Sequence, residues 1–384
     1  MTRQLETEAY YDRGAAATYR EIVQQPGVWR EVAGMLAGRS AEVDGFLQPL
    51  LALPELRIVL TGAGTSAFAG EVLRPALARS LGRRVDAVAT TDIVSNPREV
   101  FAEDIPTLLV SFARSGDSPE SVAATRLAQQ CLGSVHQLVL TCNPDGRLAA
   151  EHAGSASSLV LLMPPTANDR GFAMTSSFTS MLLTAWLVFS PARTPASADL
   201  AERLAAAAEQ VLAESDVLTG LAARGYDRVV YLGSGSLGGL ARESALKLLE
   251  LTAGEVVSYY DTALGFRHGP KAVLRERTLV VVYLSNDPYT RRYDEDIAEE
   301  LRAAIGAANV LVLAARDGAS SADAWRLRGL DDVDDAALAL PFAVIAQVLA
   351  MRFSLELGRT PDNPFPDGEV NRVVQGVAIY PLPA

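Results

Sequence analysis

Short apolar runs alternate along this chain with longer segments that are rich in alanine, leucine and arginine. The apolar runs are continuous, which is typical of parallel strands that are covered on both faces. The segments between them have the length and composition of helices. The pattern therefore predicts an α/β fold in which parallel sheets are flanked by helices. The predicted strands are Leu56–Thr61, Arg84–Ala89, Thr107–Ser111, His136–Thr141, Ser157–Leu162, Arg228–Leu232, Val256–Tyr260, Thr278–Leu284 and Asn309–Leu313.

The strand-and-helix scheme occurs twice, and 384 residues are enough for two domains. A stretch rich in proline, alanine and serine, 191–198, separates the two occurrences. The sequence thus predicts two flavodoxin-like domains. The predicted division is a helical lead-in over 1–52, a first domain over 53–200, a second domain over 201–365 and a C-terminal tail over 366–384.

The composition narrows the class of protein. The net charge is −12, which argues against nucleic-acid binding because that normally needs a basic face. No apolar run reaches the roughly 18 residues that span a bilayer, and the polar, acidic start does not look like a signal peptide. The two cysteines and three histidines have no disulfide or metal-ligand spacing, so no metal and no cofactor are expected. These features favour a cytoplasmic protein that does not bind membranes.

Glycine and hydroxyl residues follow three of the predicted strands. The segments are Gly62–Ser66, Ser111–Ser118 and Gly233–Ser236. Glycine lets the backbone approach a ligand closely, and a helix N-terminus presents unpaired N–H groups to an anion. Serine and threonine hydroxyls add further donors without adding charge. Such turns suit the phosphate ester of a small polar molecule, and the chain is expected to hold a sugar phosphate.

The first two of these turns are expected to meet, because ligands of an open parallel sheet bind beyond the carboxyl ends of its strands. An arginine fork between them would suit a phosphate. The competing interpretation is that these residues are helix caps, since Ser118 precedes Pro119. The turns lack the lysine of a P-loop and the third glycine of a dinucleotide fingerprint. The candidate phosphate ligands are Gly64, Thr65, Ser66, Arg114, Ser115 and Ser118.

A charged stripe lies on the helix that is predicted after Gly233. Glu243, Lys247 and Glu250 are spaced to share one face of it. One interpretation is a solvated row of ion pairs. The other is a general base, because leucines flank Glu250 and a carboxylate in apolar surroundings suits proton transfer near neutral pH. The spacing alone does not decide between them.

His268 is the third candidate for chemistry. It lies in Leu264–Lys271, where glycine and proline indicate a fixed turn that presents the imidazole ring. The alternative is an exposed loop histidine with no function. His136 and His152 have no comparable surroundings, and we interpret them as structural or solvated.

Together these motifs resemble the sugar isomerase (SIS) domain superfamily. Gly62–Ser66 and Ala113–Ser118 look like its two phosphate turns, and Ala245–Glu250 with Gly265–Pro270 is similar to the catalytic stretch of the isomerase half of glucosamine-6-phosphate synthase. The strongest overall likeness is to tandem-SIS galactosamine-6-phosphate deaminase/isomerases of the AgaS type. It extends from the lead-in through Asp169–Ser177 to the tail.

The resemblance implies roles for particular residues. Glu250 would move the proton at sugar C2, His268 would open the ring, and Lys247 would steady the developing negative oxygen. Thr175 would join the phosphate ligands. In the synthase, a lysine of the tail lies near the active site of the neighbouring subunit, and here Gln375 stands at the corresponding position. The resemblance also implies a homodimer, with the tail near the active site and the sites near the subunit interface.

The implied reaction converts a hexosamine 6-phosphate to a ketose 6-phosphate and ammonia by proton transfer. One alternative is a lyase that removes the C3 hydroxyl of an N-acetylhexosamine 6-phosphate. A second alternative is a non-catalytic sugar-phosphate sensor. The sequence leaves open the choice between gluco and galacto substrates.

Overall fold

The computed structural model describes residue 10 and residues 12–190, 195–317, 323–374 and 376–383. These residues form two compact units. The first-sheet unit comprises the described residues within 28–168, 176–199 and 367–384. The second-sheet unit comprises those within 1–27, 169–175 and 200–366. The lead-in is thus divided at residue 27, and a seven-residue segment between two parts of the first-sheet unit groups with the second sheet.

Each unit contains one five-stranded parallel sheet. The strand orders are β2-β1-β3-β4-β5 and β10-β9-β8-β6-β7, so the second order read from its other edge repeats the first. The predicted α/β fold with parallel sheets is confirmed. The strands are β1 (Arg57–Thr61), β2 (Val85–Ala87), β3 (Thr107–Ala113), β4 (Val135–Thr141), β5 (Ser158–Leu162), β6 (Arg228–Leu232), β7 (Val257–Asp261), β8 (Thr278–Tyr283), β9 (Val310–Ala314) and β10 (Trp325–Arg326).

Helices connect and cover the strands. Short 3₁₀ turns occupy Pro165–Ala167, Gly265–Arg267, Pro270–Val273 and Ala307–Asn309. The described α-helices are α1 (Ala16–Val23), α2 (Gln25–Gly38), α3 (Ser40–Leu51), α4 (Thr65–Leu81), α5 (Thr90–Ser95), α6 (Pro97–Val100), α7 (Pro119–Cys131), α8 (Arg147–His152), α9 (Ser176–Phe189), α10 (Pro195–Ala213), α11 (Asp216–Ala222), α12 (Ser236–Leu251), α13 (Pro288–Ile305) and α14 (Asp335–Glu356).

The cores follow from the continuous apolar strands. Every residue of β1, β3 and β8 is buried, because helices cover both faces of each sheet. Helix α14 is long and apolar enough to cross a membrane by length and composition, but 94% of its apolar window is buried inside the protein. That burial identifies α14 as a core helix. Asp334 starts it by accepting a hydrogen bond from the Ala336 N–H.

The strand register brings pairs of turns together at one sheet edge. In the first-sheet unit Thr61, the last residue of β1, pairs with Ser111 of β3. In the second-sheet unit Leu232, the last residue of β6, pairs with Val282 of β8. The first sheet therefore places the turn after β1 beside the turn after β3, and the second sheet places the turn after β6 beside the turn after β8. Parallel sheets bind ligands at such positions.

Candidate active site

The turn after β1 is shaped by two glycines. Gly64 has φ 56° and ψ −128°, a conformation that side chains disfavour. A Cβ on Gly62 would lie 2.6 Å from the backbone carbonyl carbon of Ser66. The chain thus folds tightly around the start of α4, and no side chain caps that helix. Thr65 and Ser66 begin the helix, so their hydroxyls stand beside an N-terminus that attracts anions.

The loop after β4 holds the turn after β3 in place. Asn143 Nδ2 donates to the Ser115 carbonyl at 2.9 Å, and Gly146 packs so close that a Cβ there would lie 2.4 Å from the same oxygen. The Ser118 hydroxyl donates to the Ser121 hydroxyl at 2.5 Å and makes no capping bond to α7. Ser118 therefore occupies the N-cap position before Pro119, as the helix-cap interpretation has it, but its hydroxyl does not cap the helix. Ser115 and Ser118 are half-buried hydroxyls at a helix start that no side chain caps.

Arg114 has a different environment from the one expected of an open phosphate ligand. Its side chain is buried, and Nη2 donates to the backbone carbonyl of Arg372 at 2.9 Å. The guanidinium thus ties the turn after β3 to the C-terminal segment of the same unit. Because that segment is distant in sequence, the spacing of residues around Arg114 gave no sign of this contact.

Thr175 has a different environment from the one expected of a phosphate ligand. Thr175 is fully buried in the second-sheet unit, where its N–H and hydroxyl donate to the Asp169 carboxylate at 2.8 and 3.0 Å. The hydroxyl proton is used there, so the prediction that Thr175 donates to a phosphate does not agree with the structure. Gln375 lies outside the described residues.

The charged stripe on α12 is buried rather than solvated. Lys247 is 1% exposed, and its Nζ lies 3.6 Å from Glu243 Oε1 and 2.5 Å from Glu250 Oε2. Glu250 is 24% exposed, so it is the carboxylate of this cluster that reaches solvent. The prediction of apolar surroundings for Glu250 is wrong in one respect, because the ammonium group of Lys247 faces its carboxylate. Such a lysine supplies positive charge beside any oxygen that becomes negative.

His268 lies between two short 3₁₀ turns and is exposed. Its backbone N–H donates to the Gly265 carbonyl at 2.9 Å. On either side of it, the side chains of Arg267 and Lys271 both bind the Glu300 carboxylate. Hydrogen bonds from Lys271 and Arg267 lower the pKa of Glu300. The loop is therefore held on both sides of His268, and the exposed imidazole agrees both with a presented ring and with an exposed loop histidine.

The glycine turn after β6 is occupied by the protein's own carboxylates. Ser234 Oγ donates to Asp294 Oδ1 at 2.6 Å, and the Ser285 N–H donates to Asp294 Oδ2 at 3.0 Å. Burial is the main cause that raises the pKa of Asp294 to about 7, against these two hydrogen bonds. The Asp287 carboxylate caps α13 through the N–H groups of Tyr289 and Thr290. The Ser234 hydroxyl and the N–H groups of Ser285, Tyr289 and Thr290 are thus bound to carboxylates of the chain.

The sequence pattern missed these two aspartates as determinants of ligand binding. An aspartate directly before Pro288 is a recognisable cap signal, so Asp287 could have been found. Asp294 lies seven residues further along α13 and carries no local signal. Within the described part of the chain, no group of three or more His, Cys, Asp or Glu residues is arranged to hold a metal ion.

Comparison with known proteins decides the family. The model of the SIS domain matches residues 51–191 and 224–324, which include most of both sheets. The chain belongs to the SIS domain family. A relative from Streptomyces coelicolor, provisionally named D-galactosamine-6-phosphate deaminase AgaS, is 59% identical over 376 residues and 97% of each chain.

Other members of the SIS domain family are similar over the same length. The D-galactosamine-6-phosphate deaminase AgaS of Escherichia coli is 45% identical, over 97% of this chain and 99% of its own. A crystal structure from Clostridium novyi NT, provisionally named a tagatose-6-phosphate ketose/aldose isomerase, has a TM-score of 0.94 at 40% identity and covers 98% of both chains. The tandem SIS arrangement is therefore shared along the whole length.

Proposed function

We propose that this chain binds a hexosamine 6-phosphate, with galactosamine 6-phosphate as the first candidate, and releases a ketose 6-phosphate and ammonia. The chain is a sugar-phosphate deaminase/isomerase of the SIS family. The observation that carries this assignment is the similarity over nearly the whole chain to relatives named as D-galactosamine-6-phosphate deaminases. The names of these relatives support the galacto sugar, which the sequence pattern left open.

The first-sheet unit supplies the proposed phosphate ligands. The hydroxyls of Thr65, Ser66, Ser115 and Ser118 stand at two helix starts that no side chain caps, on neighbouring parallel strands. Gly64 lets the backbone of the first turn approach the phosphate closely. Arg114 contributes positive charge to the turn while it holds the C-terminal segment. These donors match a phosphate that is held by neutral groups in a protein of net charge −12.

The second-sheet unit supplies the proposed proton-transfer groups. His268 transfers the proton that opens the sugar ring. Glu250 then takes the proton from C2 of the open aldehyde and returns a proton to C1, while Lys247 stabilises the negative oxygen in between. The C2 enamine becomes an imine, which water hydrolyses to the C2 ketone and ammonia. The bonds broken are C2–H and C2–N, and water supplies the ketone oxygen.

We also propose, from the resemblance, a homodimeric and cytoplasmic protein. The dimer is tested by sedimentation equilibrium of the purified chain. The chain has a mass of 40.8 kDa, and a single species of twice that mass supports the dimer. A monomer at micromolar concentration contradicts it.

The function is tested with a panel of four substrates: galactosamine 6-phosphate, glucosamine 6-phosphate and their N-acetyl forms. Ammonia, ketose 6-phosphate and the ultraviolet absorbance of an enone are measured in parallel. We expect stoichiometric ammonia and ketose from a free-amine sugar. Enone absorbance without ammonia would show a lyase instead, and thermal stabilisation by the sugars without any turnover would show a sensor.

A further inference from the structure

A buried carboxylate that has no part in the proposed reaction holds a loop of the second-sheet unit. Glu21 of α1 is 6% exposed. Its Oε1 accepts a hydrogen bond from the Arg170 N–H at 2.5 Å, and its Oε2 accepts one from the Gly171 N–H at 3.1 Å. Both donors belong to residues 169–175, which we call the 169–175 loop. A single side chain thus binds two consecutive backbone groups of this loop.

Two further carboxylates surround the same loop. Asp169 is fully buried, and its carboxylate accepts hydrogen bonds from the N–H and the hydroxyl of Thr175. These bonds join the two ends of the 169–175 loop. Asp362 binds the N–H and the hydroxyl of Thr18 at 2.7 Å each, and its backbone carbonyl accepts the Phe172 N–H at 3.2 Å. Asp169, from the loop, and Asp362, from the segment after α14, are carboxylates whose charge raises the pKa of Glu21.

The loop approaches Glu21 closely at Gly171. A Cβ there would lie 3.0 Å from Glu21 Oε2 and 3.1 Å from Thr18 Oγ1. The position of the loop is thus set by direct contact between its backbone and the Glu21 carboxyl. Any change in that carboxyl is transmitted to the loop without an intermediate group.

We propose that Glu21 is a proton-dependent latch that holds the 169–175 loop in place while its carboxyl is neutral and loosens it when the carboxyl is ionised. An ionised Glu21 is a buried negative charge beside the carboxylates of Asp169 and Asp362. Opening of the loop returns that charge to water and relieves both the desolvation and the repulsion. A neutral Glu21 carboxyl is not destabilised by desolvation of a charge or by repulsion from the two aspartates, and it still accepts a hydrogen bond from the loop.

The titration of Glu21 supports this direction. Burial, followed by the charge of Asp169, raises the pKa of Glu21 from 4.5 to about 7, against the hydrogen bonds from Arg170 and Gly171. A group whose pKa is higher in the latched state than in the open state favours the latched state when protonated. The latch is therefore strongest below about pH 4.5 and weakens as the pH rises towards about 7.

Hydrogen exchange of the full chain tests the latch between pH 5.5 and pH 8, with rates corrected for the intrinsic effect of pH. We expect protection of a peptide that covers the 169–175 loop to fall on the order of tenfold over this range. Amides of β8 serve as the internal reference for global unfolding. Constant protection of the loop across the range overturns the proposal. The measurement needs no substrate, so its failure would leave the proposed function untouched.

Two variants identify the group responsible. Glu21→Gln should abolish the pH dependence of the loop, whereas Asp294→Asn should retain it. Asp294 is the matched control because its pKa is also about 7 and its hydrogen-bond partners, Ser234 and Ser285, lie outside the loop. An unchanged pH dependence in Glu21→Gln would overturn the assignment.

A third variant covers the case in which Glu21→Gln does not fold. Gly171→Ala crowds the Glu21 carboxyl and the Thr18 hydroxyl, and we expect it to lower protection of the loop at every pH. Gly27→Ala, where nothing lies within 4 Å of the added methyl, is its control and should leave protection unchanged. Equal protection of the loop in both alanine variants contradicts the latch.

Discussion

After β1 the chain turns at Gly64 with φ 56° and ψ −128°, and after β6 it turns at Gly235 with φ 57° and ψ −125°. A Cβ on Gly62 or on Gly233 would lie within 2.6 Å of the backbone of the helix that follows. Both turns follow the strand that lies second from one edge of its sheet, and the two sheets have the same strand order. The backbone of the two regions is thus nearly the same, and their side chains decide what each turn can bind.

The difference lies in the neighbouring helix starts. Ser118 precedes α7 without capping it, whereas the Asp287 carboxylate caps α13 at the corresponding place. The Asp294 carboxylate accepts a hydrogen bond from the Ser234 hydroxyl of the second turn. Because a donor there is already bound to a carboxylate of the chain, we expect the second turn to bind an anion less well than the first.

The helices after the two turns have also diverged. Helix α12 carries the buried cluster of Glu243, Lys247 and Glu250, and α4 has small and apolar residues on its buried face. This contrast is the structural basis for assigning phosphate binding to the first-sheet unit and proton transfer to the second. The predictions below test that division.

The largest effect is expected at the proposed ring-opening residue. His268→Asn removes proton transfer at the ring oxygen and should lower kcat by about 10²-fold or more, because such transfers typically contribute about 10²–10⁴-fold. Initial rates of ammonia release measure it. His136→Asn, in the first-sheet unit, is the control and should keep near-normal activity. A His268→Asn enzyme with normal kcat would remove the imidazole from the mechanism.

The two turns themselves should respond differently to loss of their hydroxyls. Thr65→Val with Ser66→Ala should weaken binding of inorganic phosphate or substrate by about 10²–10⁴-fold, because each of the two lost hydrogen bonds to a charged group contributes about 1.5–3 kcal/mol. Ser234→Ala with Ser236→Ala should change phosphate affinity less than about twofold. Calorimetric titration compares the two pairs. Equal losses in both would refute the electrostatic distinction between the turns.

A smaller effect, on stability alone, is expected at the carboxylate that fills the second turn. The pKa of Asp294 is raised from 3.8 to about 7, so the folded protein binds this proton more tightly than the unfolded chain. Its stabilisation is complete below about pH 4 and is lost as the pH rises to about 7. Asp294→Asn removes this loss, so its free energy of unfolding should rise relative to the parent by about 2 kcal/mol between pH 5 and pH 8.

Urea unfolding at four pH values measures the Asp294 effect. Asp296→Asn, an exposed neighbour on α13, is the control and should follow the parent chain. Parallel pH curves for the parent and Asp294→Asn would show that the buried carboxyl does not titrate in this range.

Much of the fold was predictable, because continuous apolar strands and helical spacing are local patterns. The pattern also placed Glu243, Lys247 and Glu250 on one face, which the ion pairs of α12 confirm. The contacts that were not predictable join residues far apart in sequence. Arg114 binds a carbonyl of the C-terminal segment, and Asp294 reaches back to the turn after β6.

Burial also separated residues that look alike in sequence. Thr175 and Ser115 are both hydroxyl residues near a helix start, but Thr175 donates to the buried carboxylate of Asp169, 6 residues earlier. Local composition does not show which hydroxyl has a partner of this kind. The two-residue strand β10 was not predicted, because two residues show no periodicity.

The division between phosphate binding and proton transfer is tested most directly by Glu250→Gln. Turnover of galactosamine 6-phosphate and the affinity for inorganic phosphate are measured on the same preparation, with the surface variant Glu255→Gln as the control. We predict that Glu250→Gln lowers kcat by about 10²–10⁴-fold and leaves phosphate affinity within about twofold, while Glu255→Gln changes neither. Full activity of Glu250→Gln, or an equal loss of phosphate affinity, would contradict the account.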